Sequence, residues 1–162
     1  MKIGILSDSH DRLPLIEQAV QQFNADGVEL VLHAGDFVSP FTAISLATLD
    51  GGFVGVFGNN DGDRLYLTKR FETIGPIHLG YHTFEIDGMR GVLMHEPKSI
   101  DALVASGHFD LVVYGHTHQI DIRESPCVVV NPGEACGYLS GRATVVILDT
   151  ATMKPELIDL RI

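Results

Sequence analysis

The chain has 162 residues, of which 45% are apolar and 20% charged, and this composition predicts one domain, residues 1–162, with a substantial core. The net charge of -10 and the lack of a Lys/Arg cluster in the sequence argue against stable nucleic-acid binding. The apolar start is too short for a signal peptide, no segment is long enough to span a bilayer, and Cys127 and Cys136 do not indicate a disulfide, so we expect a cytoplasmic protein without a membrane partner.

The first half of the chain alternates short apolar runs with helical patterns. Pro14 suits the first turn of one helix, and Ser39 followed by Pro40 suits the N-cap and first position of another. The predicted strands cover residues 3–6, 28–33 and 53–57, and the predicted helices cover residues 13–23 and 39–49. This order predicts a parallel sheet with helices packed against it.

The second half has shorter elements and is mainly β-structure. Asp87 and Gly88 are typical of a hairpin turn, and Ser99 suits the N-cap of a short helix. The predicted helices cover residues 63–71 and 99–105, and the predicted strands cover residues 77–79, 82–86, 90–94, 111–114, 120–123, 127–130, 144–148 and 156–160. Because the tail has no long helix, we expect an antiparallel second sheet packed against the first.

Seven side chains with oxygen or nitrogen donors stand just after apolar runs, where predicted strands end. They are Asp8, His10, Asp36, Asn59, His95, His116 and His118. Because sites in open α/β sheets form beyond the carboxyl ends of the strands, we expect all seven at one edge. This donor set is what two divalent metal ions need to share a carboxylate, activate a water and hold a phosphate.

The order of these motifs resembles the calcineurin-like metallophosphoesterase superfamily, and in particular its small bacterial and archaeal phosphodiesterases. The matching motifs are Asp8-x-His10, Gly35-Asp36, Gly58-Asn59-Asn60-Asp61, His95 and Gly115-His116-Thr117-His118. The resemblance implies an α/β fold in which a two-sheet β-sandwich is flanked by helices. It also implies that Asp8, His10 and His118 hold one metal, that Asn59, His95 and His116 hold the other, and that Asp36 bridges both.

Three positions depart from the family pattern, and one further residue is a candidate for substrate contact. Asn60 stands where many members carry a histidine that can donate a proton to the leaving group. Glu96 stands where glycine is common, and Glu134 ends a loop that usually ends in serine. Arg12 is a candidate phosphate contact, with a solvated residue at a helix start as the alternative.

We therefore expect a dinuclear metal-dependent phosphodiesterase, a hydrolase in which a hydroxide that bridges the metals attacks phosphorus in line. The donors suit manganese first, with iron, zinc, nickel or cobalt as alternatives. Asp36, Asn59 and His95 are the expected catalytic residues, with Asn60 beside them, and the partner is a small phosphoester. A phosphomonoesterase of the same fold and a non-catalytic protein-binding scaffold are the alternatives, and homo-oligomerisation is left open.

Overall fold

The computed structural model describes residues 1–161, so the predicted domain end at residue 162 lies outside the described residues. The strands in this range are β1 (Lys2–Leu6), β2 (Leu30–His33), β3 (Gly52–Val56), β4 (Ile77–His78), β5 (Tyr81–Ile86), β6 (Met89–Met94), β7 (Leu111–Val113), β8 (Ile120–Arg123), β9 (Val128–Pro132), β10 (Thr144–Asp149) and β11 (Lys154–Asp159). The helices are α1 (Leu13–Ala25), α2 (Thr42–Leu46), α3 (Arg64–Phe71) and α4 (Ile100–Ser106). No helix within these 161 residues has both the length and the apolar character needed to cross a membrane.

The first sheet has the strand order β11-β10-β1-β2-β3-β4. The four strands β1 to β4 are parallel, as the alternation of strands and helices predicts. The tail prediction was wrong for β10 and β11, because both join this sheet, with β10 antiparallel to β1. Side chains of β10 are buried on both faces, Val145 towards the helices and Val146 towards the second sheet, so this strand belongs in a layer covered on both sides.

The second sheet has the order β5-β6-β7-β9-β8 and is mixed, which corrects the prediction of an antiparallel sheet. The central strands β6, β7 and β9 are parallel, and β5 and β8 pair antiparallel at the two edges. The central β9 carries the apolar run Val128–Val130, whose residues are all buried. A continuous apolar run of this kind is typical of a parallel strand covered on both faces.

Helices cover the outer faces of both sheets, which gives the predicted α/β sandwich flanked by helices. α1, α2 and α3 pack on the first sheet, and α4 packs on the second. The close approach of α1 depends on Gly4 in β1, because a Cβ there would lie 2.9 Å from the buried ring of Phe23. Between the sheets, Ile3 and Ile5 of β1 pack in one cluster with Leu93 of β6. This packing holds the two sheets together, with the carboxyl ends of β1 and β6 close to each other.

Two predicted helix starts differ from the structure, and one predicted turn is confirmed. α2 begins at Thr42 rather than at Pro40, because the amides of Thr42, Ala43 and Ile44 donate to carbonyls three residues back and form tight turns first. Ser99 holds the N-cap position of α4, but its φ of 57° is left-handed and its side chain makes no capping bond. The hairpin prediction is confirmed, since Asp87 and the following glycine have φ of 53° and 77°.

Candidate metal centre

The seven predicted donors meet at the edge where the carboxyl ends of both sheets lie side by side. Two follow β1, one follows β2, one follows β3, one follows β6 and two follow β7. Backbone hydrogen bonds connect the first two of these loops, from the amide of Asp8 to Gly35 O at 3.0 Å and from the amide of His10 to Asp36 O at 3.1 Å. The parallel order of β1 and β2 thus brings Asp36 beside the first motif.

Five of the seven donor residues have a left-handed backbone. Their φ angles are 52° for Asp8, 40° for His10, 60° for Asp36, 70° for His116 and 57° for His118. Residues other than glycine adopt this region rarely, and clusters of them persist only where the surrounding contacts fix the backbone, as at functional sites. Asp8 and Asp36 are buried, His10 and His118 are half-buried, and His116 is exposed at the edge of the site.

The first donor set consists of Asp8, His10, Asp36 and His118, whose ligand atoms all lie within 4.8 Å of one another. Asp8 Oδ1 is 3.5 Å from His118 Nε2 and 3.9 Å from His10 Nε2. The other oxygen of Asp8 accepts hydrogen bonds from Ser7 Oγ at 2.6 Å and from the amide of His116 at 3.0 Å. Asp8 is therefore anchored through Oδ2 while Oδ1 is left to face the set.

The second donor set consists of Asn59, His95 and His116. Asn59 Oδ1 lies 2.8 Å from His95 Nε2 and 2.9 Å from His116 Nδ1, and these two nitrogens are 3.2 Å apart. His95 donates from Nδ1 to Ala34 O at 2.7 Å, which fixes the ring and turns Nε2 into the site. Three donor atoms from three different loops thus converge on one point.

Asp36 lies between the two sets. Its Oδ2 is 3.5 Å from His10 Nε2 in the first set, and its Oδ1 is 3.4 Å from His95 Nε2 in the second. Asn60 holds this carboxylate from behind, because its amide N–H donates to Oδ1 at 2.8 Å and its side-chain Nδ2 donates to Oδ2 at 2.7 Å. Asn60 stands where relatives are expected to carry a proton donor, and it uses both of these N–H groups as hydrogen-bond donors to Asp36.

The loop that carries Asn59 and Asn60 is shaped by residues that the motif search did not single out as site residues. Asp61 is buried and accepts from the amide of Gly58 at 2.6 Å and from the amide of Val38 at 2.8 Å. A Cβ on Gly58 would lie 2.1 Å from Asp36 Oδ1, so glycine is required for this approach. Asp61 stands in the Gly-Asn-x-Asp motif, which was the available signal for its role.

The arrangement suits divalent cations. Asp8 Oδ1 and His10 Nε2 are buried and have no hydrogen-bond partner among the described residues, although both point into the first set. Burial raises the pKa of Asp8, since a carboxylate removed from water is costly, while Ser7 and nearby histidines act in the opposite direction. A cation would satisfy both orphaned atoms. Carboxylate, imidazole and amide donors together fit manganese, iron, zinc, nickel or cobalt better than calcium.

Glu134 is the main residue whose role could not be read from the sequence. Its Oε2 accepts from His118 Nδ1 at 2.7 Å, and its Oε1 accepts from the amide of Ser140 at 2.5 Å and from Ser140 Oγ at 2.6 Å. Burial raises the pKa of Glu134, but the hydrogen bonds from Ser140, His118 and Cys136 outweigh this effect and lower the pKa to about 2. The carboxylate therefore fixes the His118 ring with Nε2 directed at Asp8.

Cys136 also lies close to the first set, with Sγ in a second possible cluster with His10 and His118. Sequence reasoning assigned no thiol to the site. The Sγ of Cys136 donates to Glu134 Oε2 at 3.1 Å, and burial raises the pKa of the thiol to about 12. A thiol in this state is a hydrogen-bond donor to Glu134 and a poor ligand.

Three other charged or titratable residues near the site have definite partners. The guanidinium of Arg12 donates to the carbonyl of Cys136 and lies 5.1 Å from the ring centre of Tyr138, so its role as a phosphate contact stays a prediction. Glu96 pairs with Lys98 at 2.8 Å, and this contact lowers the pKa of Glu96. His33 is buried and has Nε2 3.0 Å from Ser9 Oγ.

Comparisons with known proteins agree with this geometry. Residues 1–153 match the sequence profile of the calcineurin-like phosphoesterase superfamily domain. The chain is 41% identical over 155 residues to a phosphodiesterase of Methanocaldococcus jannaschii, with 93% of each chain covered. It is 36% identical over 143 residues to a probable metallophosphoesterase of Methanothermobacter thermautotrophicus, which covers 82% of this chain and 76% of that one.

Solved structures give the same result for the fold. The structure of an archaeal phosphodiesterase superposes with a TM-score of 0.93 at 40% identity, and the match covers 99% of this chain and 100% of that one. Vps29 of Entamoeba histolytica, solved in complex with zinc, superposes with a TM-score of 0.72 at 18% identity and covers 98% of this chain and 99% of that one. The second likeness concerns the fold alone.

Proposed function

Since the chain belongs to the calcineurin-like phosphoesterase superfamily, we propose that it is a dinuclear metal-dependent phosphodiesterase acting on small phosphoesters. The observation that carries this proposal is the position of Asp36, whose two oxygens face a histidine of each donor set. A carboxylate placed in this way is suited to be shared by two cations. The related phosphodiesterase of Methanocaldococcus jannaschii, 41% identical, supports a diester as the substrate class.

The proposed ligands follow the two donor sets. We assign one ion to Asp8, His10 and His118, the other to Asn59, His95 and His116, and both to Asp36. When bound, two divalent ions supply a water of lowered pKa and positive charge opposite the phosphoryl oxygens. We propose manganese as the native metal and retain iron, zinc, nickel and cobalt as alternatives. Since both sheets contribute ligands, we also propose that the chain is one domain.

The protein's own groups position the ligands and the substrate. Asn60 keeps both oxygens of Asp36 in place, and Ala34 O and Glu134 fix the rings of His95 and His118. With Oδ1 of Asn59 turned towards two histidines, its Nδ2 group is a donor for a phosphoryl oxygen on which negative charge develops. Asn60 has no acidic proton to give, so we propose that the leaving group departs without general acid catalysis.

The test compares bis(p-nitrophenyl) phosphate with p-nitrophenyl phosphate, using metal-free protein before and after manganese is added. We expect diester hydrolysis only in the loaded protein, and a loss of about 10²-fold or more in kcat for Asp36→Asn, because the amide weakens both ion sites. Asp50→Asn is the matched control, since Asp50 is exposed and precedes β3 at the opposite edge of the sheet.

Three results would contradict the proposal in different ways. Full activity in protein shown by elemental analysis to be metal-free would exclude the metal mechanism. A clear preference for the monoester would favour a phosphomonoesterase of the same fold. Absence of hydrolysis with both sites loaded would favour a protein-binding scaffold.

A further inference from the structure

A cleft of about 980 Å³ opens beside the second donor set and extends away from it along the outer face of the second sheet. Asn59 and His95 form its inner end. Val92 lies in β6, three residues before His95, and the rise of a β-strand places it about 10 Å from His95. Phe109, just before β7, marks the far end, because β6 and β7 are parallel. The cleft is thus continuous with the proposed metal centre.

The walls of the cleft are mainly apolar. The larger apolar side chains that line it, half of them aromatic, are Phe57, Tyr81, Val92, Met94, Leu103 and Phe109. Tyr81 lies on the edge strand β5 and is 70% exposed, so one face of its ring is free to contact a ligand. A pocket of this size and composition is suited to an organic group rather than to phosphate alone.

Positive charge lies at the inner end. Arg64 is fixed there, because its Nη2 donates to Gly58 O at 2.8 Å and its guanidinium lies 5.3 Å from the ring centre of Phe57. Lys98 also lines this part of the cleft and is paired with Glu96, which reduces its charge. The lining near the donor set is therefore both cationic and aromatic, because Tyr81 pairs with Met94 directly before His95, and the lining beyond it is mainly apolar. A phosphate that carries an aromatic group has the same order of charge and apolar surface.

We propose that this cleft binds the aromatic ester group of the substrate and so selects aromatic phosphodiesters, of up to about nucleoside size, over small alkyl ones. The inference rests on the proposed function, because the phosphate is held at the donor sets while the ring extends along β6. Stacking on Tyr81 and apolar contact with Phe57 and Leu103 supply the selectivity. Arg64 favours the end of the ligand that carries negative charge.

Phosphonates test the binding of an aromatic group in the cleft without catalysis, because their carbon–phosphorus bond is not hydrolysed. Calorimetry on the manganese-loaded protein would give Kd for methylphosphonate and for 1-naphthylphosphonate, which share the anionic group and differ in the ring. We expect the naphthyl compound to bind about 10-fold more tightly, as for stacking on an aromatic side chain. Tyr81→Ser should reduce this ratio to about 3-fold or less while Kd for methylphosphonate stays the same.

Tyr66→Ser is the matched control, because Tyr66 is also an exposed tyrosine but lies on α3 outside the cleft lining. It should keep the ratio of the unmodified protein. Equal Kd values for the two phosphonates in the unmodified protein would refute the inference and leave the proposed function intact, as would an unchanged ratio in Tyr81→Ser. If neither phosphonate binds the loaded protein, the proposed phosphate site itself is wrong and the inference fails with it.

Discussion

Replacing Glu134 with glutamine should weaken the donor set that contains His118 and leave the other set unchanged. The glutamate accepts hydrogen bonds at both oxygens, from His118 and Cys136 at Oε2 and from Ser140 at Oε1. Glutamine has the same size, but one of its two terminal atoms is an NH₂ group that only donates. In Glu134→Gln the NH₂ group must therefore face another hydrogen-bond donor, either at His118 or at Ser140.

Both orientations of the glutamine are unfavourable. If the NH₂ group faces His118, the ring must accept at Nδ1 and carry its proton on Nε2, the nitrogen that lies 3.5 Å from Asp8 Oδ1. If it faces Ser140 instead, the amide of that residue loses its acceptor and the loop that holds Glu134 shifts. Loss of such a supporting partner typically reduces metal affinity about 10- to 100-fold. That range corresponds to about 1.4–2.7 kcal/mol of binding free energy.

Calorimetric titration of metal-free protein with Mn²⁺ measures this effect, provided that the two ion sites are fitted separately. We expect one Kd to rise 10- to 100-fold in Glu134→Gln and the other to stay within about 2-fold of the unmodified value. Glu156→Gln serves as the control, because Glu156 is exposed on β11 and remote from both sets. Unchanged affinity at both sites would refute the role of Glu134, and equal weakening of both would point to a general effect on folding.

Two further predictions concern the loop after β3. Gly58→Ala should reduce diesterase activity by at least about 10²-fold with the secondary structure retained by circular dichroism, because the new Cβ would lie 2.1 Å from Asp36 Oδ1; activity near that of the unmodified protein would show that Asp36 can move without loss. Hydrolysis of aryl and alkyl diesters should fall steeply as the pKa of the leaving alcohol rises, and Asn60→His should flatten this dependence, since general acid catalysis is worth about 10²–10⁴ in rate. A flat dependence in the unmodified protein, with chemistry rate-limiting, would mean that another residue donates the proton.

Much of the site could be predicted from the sequence because its donors lie in short motifs directly after apolar runs. Local spacing identifies Asp8 with His10 and His116 with His118, and the rule for the carboxyl ends of parallel strands places them together. The backbone conformation of these residues was not predictable, because Asp and His carry no requirement for positive φ in the way that glycine often does. Their left-handed geometry follows from hydrogen bonds between loops.

The contacts that support the donors could not be predicted, since they depend on tertiary structure. Glu134 is 16 residues from His118, and the two meet because β8 and β9 form an antiparallel pair. The strand β10 has an apolar pattern that fits either sheet, and only its pairing with β1 decides between them. The start of α2 depends on turns with hydrogen bonds over three residues, which the pair Ser39 and Pro40 does not distinguish from a helix start.

The left-handed backbone at five donor positions has a consequence for the stability of the chain and for the substitutions that would increase it. A left-handed residue other than glycine costs roughly 1–2 kcal/mol, so five together lower the free energy of unfolding by at least about 5 kcal/mol. That sum is comparable to the lower end of the total stability of a domain, which is about 5–15 kcal/mol. A lineage released from selection for metal binding would gain stability by accepting glycine or asparagine at these positions. Aspartate and histidine at all five positions therefore lower the stability of the folded chain, and a cation that binds only the folded state would offset that cost.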